Sequence, residues 1–120
     1  MTTTATIEIP LKLGAALNAR VHWTARAKRA KTERAIVGAA LRHHPFTADV
    51  VPTTCTLTRI APRALDDDNL AGAFKSIRDE VAAFFGVDDG PKGPIAWHYV
   101  QRKGEPKQYG IEIRFEWRDG

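Results

Sequence analysis

The sequence predicts a two-layer α+β domain in β-α-β-α-β-β order, with two helices packed on one face of a mixed sheet. Three observations lead there. Strict two-residue alternation marks the start and the end of the chain, and two segments of helical period lie between. A length of 120 residues suffices for one hydrophobic core and is too short for two, so a single domain over residues 1–120 is expected.

At the N-terminus Ala5, Ile7 and Ile9 alternate with Thr4, Thr6 and Glu8, and Pro10 ends this strand. Thr24 is placed to cap a helix reaching Arg42, rich in Ala, Arg and Lys, whose apolar positions Ala27, Ala30, Val37 and Leu41 leave a basic opposite face. His43-His44-Pro45 stops it. Residues 50–60 are rich in β-branched side chains and put Cys55 and Leu57 on one face of a second strand. Leu70, Phe74, Ile77, Val81 and Phe84 then recur at helical spacing, with Gly86 as the stop. Ile95, Trp97 and Tyr99 form a short strand, and residues 101–108 a polar turn. Last, Tyr109, Ile111, Ile113, Phe115 and Trp117 alternate with polar or small neighbours; Phe74, Phe84, Trp97 and Trp117 are expected in the core.

Composition narrows the function. The chain is 43% hydrophobic and 27% charged, ordinary for a globular protein. No stretch approaches the ~20 apolar residues that span a bilayer, and the N-terminus lacks a basic start followed by an apolar run. A cytoplasmic location, in a bacterium or from a phage gene, is expected. Cys55 is the sole cysteine, which excludes an internal disulfide and a cysteine-rich zinc site. His43, His44 and His98 show no metal-ligand spacing, and neither a Gly-rich phosphate loop nor a Ser-His-Asp or Cys-His arrangement is present. The net charge of +4 is unevenly spread: residues 1–50 carry eight Lys/Arg against three Asp/Glu, whereas residues 64–90 carry two against seven. A basic arm beside an acidic block suits a polyanion-binding surface around a cation-binding centre.

The acidic block Asp66-Asp67-Asp68-Asn69 lies where a strand hands over to a helix. In an extended stretch Asp66 and Asp68 share a side, and Asp68 is placed to cap the helix starting near Asn69. Asp88-Asp89 follows the stop at Gly86; on local chemistry alone, Asp88-Asp89-Gly90-Pro91 is also a good turn. A straight helix of roughly 16 residues would hold the two blocks ~24 Å apart. Sharing a metal therefore requires a shorter helix, a chain that doubles back after Gly86, or a second block supplied by a partner subunit. Oxygen-only ligands favour magnesium, which suits phosphodiester hydrolysis.

Asp66-Asp67-Asp68-Asn69-Leu70, then Lys75 with Asp79 four residues on, then Gly86-Val87-Asp88-Asp89, together resemble the RusA-type Holliday-junction resolvases; Asn18–Trp23 is also similar to an N-terminal segment of relatives, many of them phage-borne. The resemblance implies a small α+β homodimer that cuts four-way DNA junctions in recombination and repair, using Mg2+ with Mn2+ as a substitute. It implies metal-binding Asp66, Asp68 and Asp89, with Asp88 accessory. The family's functional lysine meets Gly72 here; Lys75, one helical turn later, is the candidate replacement and completes the catalytic set. A junction- or DNA-binding accessory protein with weakened catalysis is the alternative. Arg20, Arg26, Arg29 and Arg34, with His22 and Asn69, are the candidate contacts to branched DNA, and Lys28 and Lys31 extend the basic arm.

Overall fold

A computed structural model describes residues 2–13, 23–44 and 48–118. Along these residues the elements are β1 (Thr2–Ile9), α1 (Trp23–His43), β2 (Thr54–Ala61), α2 (Asp67–Ala73), α3 (Lys75–Phe85), β3 (Ala96–Lys103) and β4 (Gly110–Arg118). The alternating segments at the two ends of the chain become β1 and β4, paired antiparallel from Thr2 opposite Arg118 to Ile9 opposite Ile111. The sheet order is β1-β4-β2-β3, with β2 antiparallel to β4 and parallel to β3. A parallel pair needs a crossover, and α2 and α3 supply it. The fold is α+β with a mixed sheet, as the pattern of periods requires.

Side-chain alternation divides the sheet into two faces. Ile7, Ile9, Cys55, Leu57, Ile111, Ile113 and Phe115 turn inward to meet Val37 and Leu41 of α1 and Leu70, Phe74, Ile77, Val81 and Phe85 of the crossover. Burying such side chains contributes about 1.5–3 kcal/mol each before chain entropy is set against it. The outer face is polar: Arg102 bridges Glu8 at 3.6 Å and Glu112 at 3.0 Å, and Arg114 meets Glu116. Phe74 and Phe115 are fully buried, while Phe84, Trp97 and Trp117 are half-buried against the core.

Four expectations change. The single helix over residues 70–84 is two helices meeting at Phe74, whose φ of −88° and ψ of 1° leave the helical region. Gly72, with a helix propensity about 1 kcal/mol below Ala, lies in the last turn of α2 and weakens the helix there. Strand β3 runs on to Lys103, so the turn is shorter than residues 101–108. The first half of α1 buries little: Ala27 is exposed and Ala30 half-buried, and the helix already includes Trp23, so Thr24 lies within it rather than capping it. Tyr109 is exposed, with the Lys12 ammonium 4.5 Å above its ring.

Helix α3 ends at Gly86 in the left-handed region, φ 67° and ψ 35°. The Val87 amide returns to the Ala82 carbonyl and the Gly86 amide to Ala83, closing a Schellman motif. A Cβ on Gly86 would meet nothing within 4 Å, so only backbone conformation opposes a side chain there. Gly86→Ala should lower unfolding free energy by about 1 kcal/mol, and Gly86→Asn by less, in denaturant titrations.

Candidate functional site

The first acidic limb is organised by Asp66. It is the N-cap of α2: one carboxylate oxygen accepts from the Asn69 amide at 2.8 Å and the other from the Asn69 side-chain Nδ2 at 3.0 Å. The expected cap, Asp68, instead stands exposed in the first helical turn. The three-residue spacing from Asp66 to Asn69 decides this, because an N-cap oxygen reaches the amide three residues on. Asp68 therefore leaves the extended stretch, and its relation to Asp66 is that of a helix start rather than a strand. Asn69, expected at DNA, has its amide group engaged with Asp66.

The second limb folds back along α3. Arg78 donates through Nε to the Asp89 carbonyl oxygen at 2.9 Å, and its Nη2 donates to the same oxygen. Its Nη1 donates to the Tyr99 hydroxyl at 2.8 Å, and the guanidinium lies 4.8 Å over the Trp97 ring. The Asp89 carboxylate stands 3.9 Å from Arg78 Nε. Asp88 serves the turn itself, accepting from the Gly90 amide at 3.0 Å, and a Cβ on Gly93 would overlap the Asp88 carbonyl. The return brings the Asp89 carboxylate near enough to Asp79 to act on its charge. Burial pushes Asp79 up from the ordinary carboxylate range; Asp89 raises it further, and Lys75 and Arg34 oppose the shift.

Asp79 also faces a cleft of about 230 Å³ between α1 and the α2–α3 junction. Arg26, Arg29 and Arg34 line one wall; Gly72, Lys75 and Asp79 line the other. Lys75 Nζ lies 3.7 Å from Asp79 Oδ2, and Arg34 Nε pairs with Glu80 at 3.0 Å. At the base Glu33 is only 6% exposed and accepts from Ser76 Oγ at 2.6 Å. Burial raises the Glu33 pKa, while the Ser76 hydrogen bond and Arg29 lower it.

The structure thus brings Lys75 and Asp89 to Asp79, and Arg26, Arg29 and Arg34 to the same cleft. Among the described residues no three His, Cys, Asp or Glu side chains converge as a metal-holding group, so Asp66, Asp68 and Asp89 do not form one. Arg20 and His22 lie outside the described residues. Each limb still fits a hard cation by donor chemistry, since its exposed donors are carboxylates and magnesium takes only one or two of these with waters. Asp79 and Arg78 were missed from sequence: Asp79 reads as the partner of Lys75 on a helix surface, and Arg78 lies within an acidic run. No helix among the described residues is long and apolar enough to cross a membrane.

No protein-family model matches the chain. An uncharacterized protein of Xylella fastidiosa is 36% identical over an 81-residue alignment that covers 60% of this chain and 51% of that protein. The match thus spans about half of the relative's length. A GDP-form protofilament structure of TubZ from Bacillus thuringiensis serovar israelensis superposes with a TM-score of 0.50 at 14% identity, covering 95% of this chain and 25% of TubZ. A GTPγS-form TubZ protofilament gives 0.48 at 13% identity, over 95% and 24%. At such identity the first likeness concerns the fold alone.

A raised pKa for Glu33 means that the folded state keeps a proton which the unfolded chain has lost. Stability then falls as pH rises from the ordinary carboxylate range through the folded pKa, and levels off above it. Glu33→Gln, which keeps the acceptor for Ser76, should be more stable than the native chain at neutral pH. The gap should close toward pH 4, followed by denaturant unfolding across pH.

Proposed function

We propose that this chain is a magnesium-dependent, structure-selective DNA endonuclease of the RusA type, acting on four-way junctions as a homodimer. The observation that carries the reading is the position of Asp79, which lines the basic cleft and lies where the Asp89 charge acts on it. A polyanion-binding surface and an acidic pair that a cation would relieve meet at one side chain. In this reading magnesium would bind to carboxylates of the Asp66–Asp68 limb or of Asp89, which among the described residues do not converge as one group, with Asp88 confined to shaping the turn. When bound there, magnesium supplies charge neutralisation at a phosphodiester and acidity for a water.

The chain's own residues divide the remaining work. Arg26, Arg29 and Arg34 neutralise backbone phosphates, a sequence-independent interaction that falls steeply with salt. Lys75 stands in the same cleft as Gly72, the position where the family carries its lysine. A long lysine stem on the adjacent turn brings an ammonium to the phosphate that Gly72 cannot reach, and so favours retained catalysis over the accessory-protein alternative. Asn69 holds Asp66 in place from one side. Two symmetric cuts need two sites, which a two-fold dimer provides.

Cleavage of synthetic four-way junctions with magnesium tests the reading. Asp68→Asn and Asp89→Asn should reduce cutting to background while junction binding persists. Lys75→Met should lower kcat on the order of 100-fold with little change in DNA affinity. Tight junction binding with no cutting in any divalent metal would reject the enzyme. For the surface, Arg29→Ala should reduce the slope of log affinity against log salt by about one; salt-independent binding, or none, would reject the DNA reading altogether.

A further inference from the structure

Among the described residues Arg59 is the one buried cation, 7% exposed. It stands near the end of β2, two residues after Leu57 and on the same inward side. Its Nε donates to the Leu13 carbonyl at 2.8 Å, and its Nη1 donates to the Arg63 carbonyl at 2.7 Å. A guanidinium has more N–H donors than these two bonds use, and both donors of Nη2 remain. Among the described residues no carboxylate pairs with it. Burial works against its charge, and a cation taken out of water without a counter-charge is costly. The Arg59 side chain lines a cleft of about 330 Å³ at the carboxyl ends of the parallel strands β2 and β3. Such strand ends are where open sheets with helical crossovers take their ligands. Arg63, Arg102 and Lys103 line the same cleft, and no carboxylate does. Arg102 is engaged with Glu8 and Glu112. Arg63 and Lys103 are exposed, and among the described residues neither pairs with an acidic side chain.

A purely structural role accounts for Nε and Nη1, which tie Leu13 and the loop after β2 to the sheet. It does not account for two further cations gathered in one cleft without an acid among them. Like charges placed together are unfavourable until an anion enters, and the guanidinium fork matches phosphate oxygens in shape as well as charge. We propose that this cleft is an oxyanion subsite for one backbone phosphate of DNA, with Arg59 at its base and Arg63 and Lys103 at its mouth. The anion site stands on this geometry; its assignment to DNA rests on the endonuclease reading and deepens it. The subsite shares no residue with the cleft of Arg26, Arg29 and Arg34, so the backbone is met at two separate places. It is also tied to the first acidic limb. Ala64 lines it, Gln101 holds the Leu65 amide and carbonyl at 2.8 and 2.7 Å, and Asp66 comes next. The segment carrying Asp66 and Asp68 therefore runs from a wall of this subsite, Ala64, to a wall of the other cleft, Gly72. Two phosphate sites joined by one short segment suit branched DNA, whose backbone leaves a junction in several directions.

Inorganic phosphate and a short DNA duplex, each added alone to the full-length chain at constant ionic strength, test the subsite. In NMR spectra the Arg59 Nε signal and the amides of residues 63, 64, 103 and 104 should shift and saturate with either probe. Arg63→Gln combined with Lys103→Gln changes two exposed side chains and should leave Tm near native. It should raise the phosphate concentration for half-saturation about tenfold. In four-way-junction binding the same variant should lower the slope of log affinity against log salt by about two. A native-like phosphate response in that variant, or an Arg59 Nε signal that does not move, would leave Arg59 a structural tie and overturn the subsite. Saturation by inorganic phosphate without any response to the duplex would overturn the assignment to DNA backbone. Duplex-induced shifts confined to residues 26–34 would overturn the subsite while the endonuclease reading stands; no duplex-induced shift anywhere would remove both.

Discussion

Arg78 directs its donors to two elements far apart in sequence. Nε and Nη2 go to the Asp89 carbonyl, Nη1 goes to the Tyr99 hydroxyl, and the guanidinium plane covers Trp97. Arginine suits this because its planar fork fixes several hydrogen bonds at once while its face stacks on an aromatic ring. Its main partner in the return segment is a backbone carbonyl; the Asp89 carboxylate stands farther off, at 3.9 Å. That distinction matters for the site. A carboxylate fully consumed by an arginine would be a poor cation ligand, whereas a carbonyl anchor fixes the segment and leaves the carboxylate to face Asp79.

The break at Phe74 belongs to the same arrangement. One straight helix from residue 70 to residue 84 would carry its two ends, and the acidic limbs beyond them, as far apart as its length allows. Ending α2 at Ala73 interrupts that run, with Phe74 buried at the junction and its ring 6.0 Å from that of Tyr99. Tyr99 thereby packs on the junction through its ring and holds Arg78 through its hydroxyl. Across the interface, a Cβ on Gly38 of α1 would stand 2.8 Å from a Glu80 carboxylate oxygen and 3.1 Å from the Arg42 guanidinium, both ends of flexible side chains. The likeness to part of TubZ concerns this layer arrangement and says nothing of the chemistry at its edge.

Period alone made β1, β4 and the inward row of β2 legible, since alternation has only one structural solution when one face is buried. It could not reveal the helix break, because the turn at Phe74 keeps the apolar stripe on the same side and the spacing of Leu70, Phe74, Ile77 and Val81 runs on unbroken. Glu33 was hidden for the opposite reason: its burial is made tolerable by a serine 43 positions away. The Asp66 cap is readable from its distance to Asn69, but three adjacent aspartates each offer cap chemistry, and a helix start drawn at Asn69 points to Asp68. Gln101 opened a run that looks like a polar turn, and only the register with Arg59 reveals it as the end of a strand. Asp79 and Arg78 were invisible because their partners, Asp89 and Tyr99, are joined by a return of the chain that no local pattern encodes.

These polar features are also what a fold selected for stability alone would avoid. Burial raises Asp79 toward protonation, and placing it against Asp89 adds a second unfavourable charge; Lys75, 78% exposed, offsets little of this through solvent. Glu33 is more deeply buried and leans on a single hydroxyl. Perturbed carboxylates of this kind also occur in structural networks, so perturbation alone would not mark a site. Here they share one groove with three arginines of α1, and the strain is all of one sign: bringing Asp79 and Asp89 together is unfavourable for a protein without a cation and favourable for one that binds it. The Arg78 anchor on the Asp89 carbonyl holds the two acidic side chains near each other, because two carboxylates do not approach each other unaided.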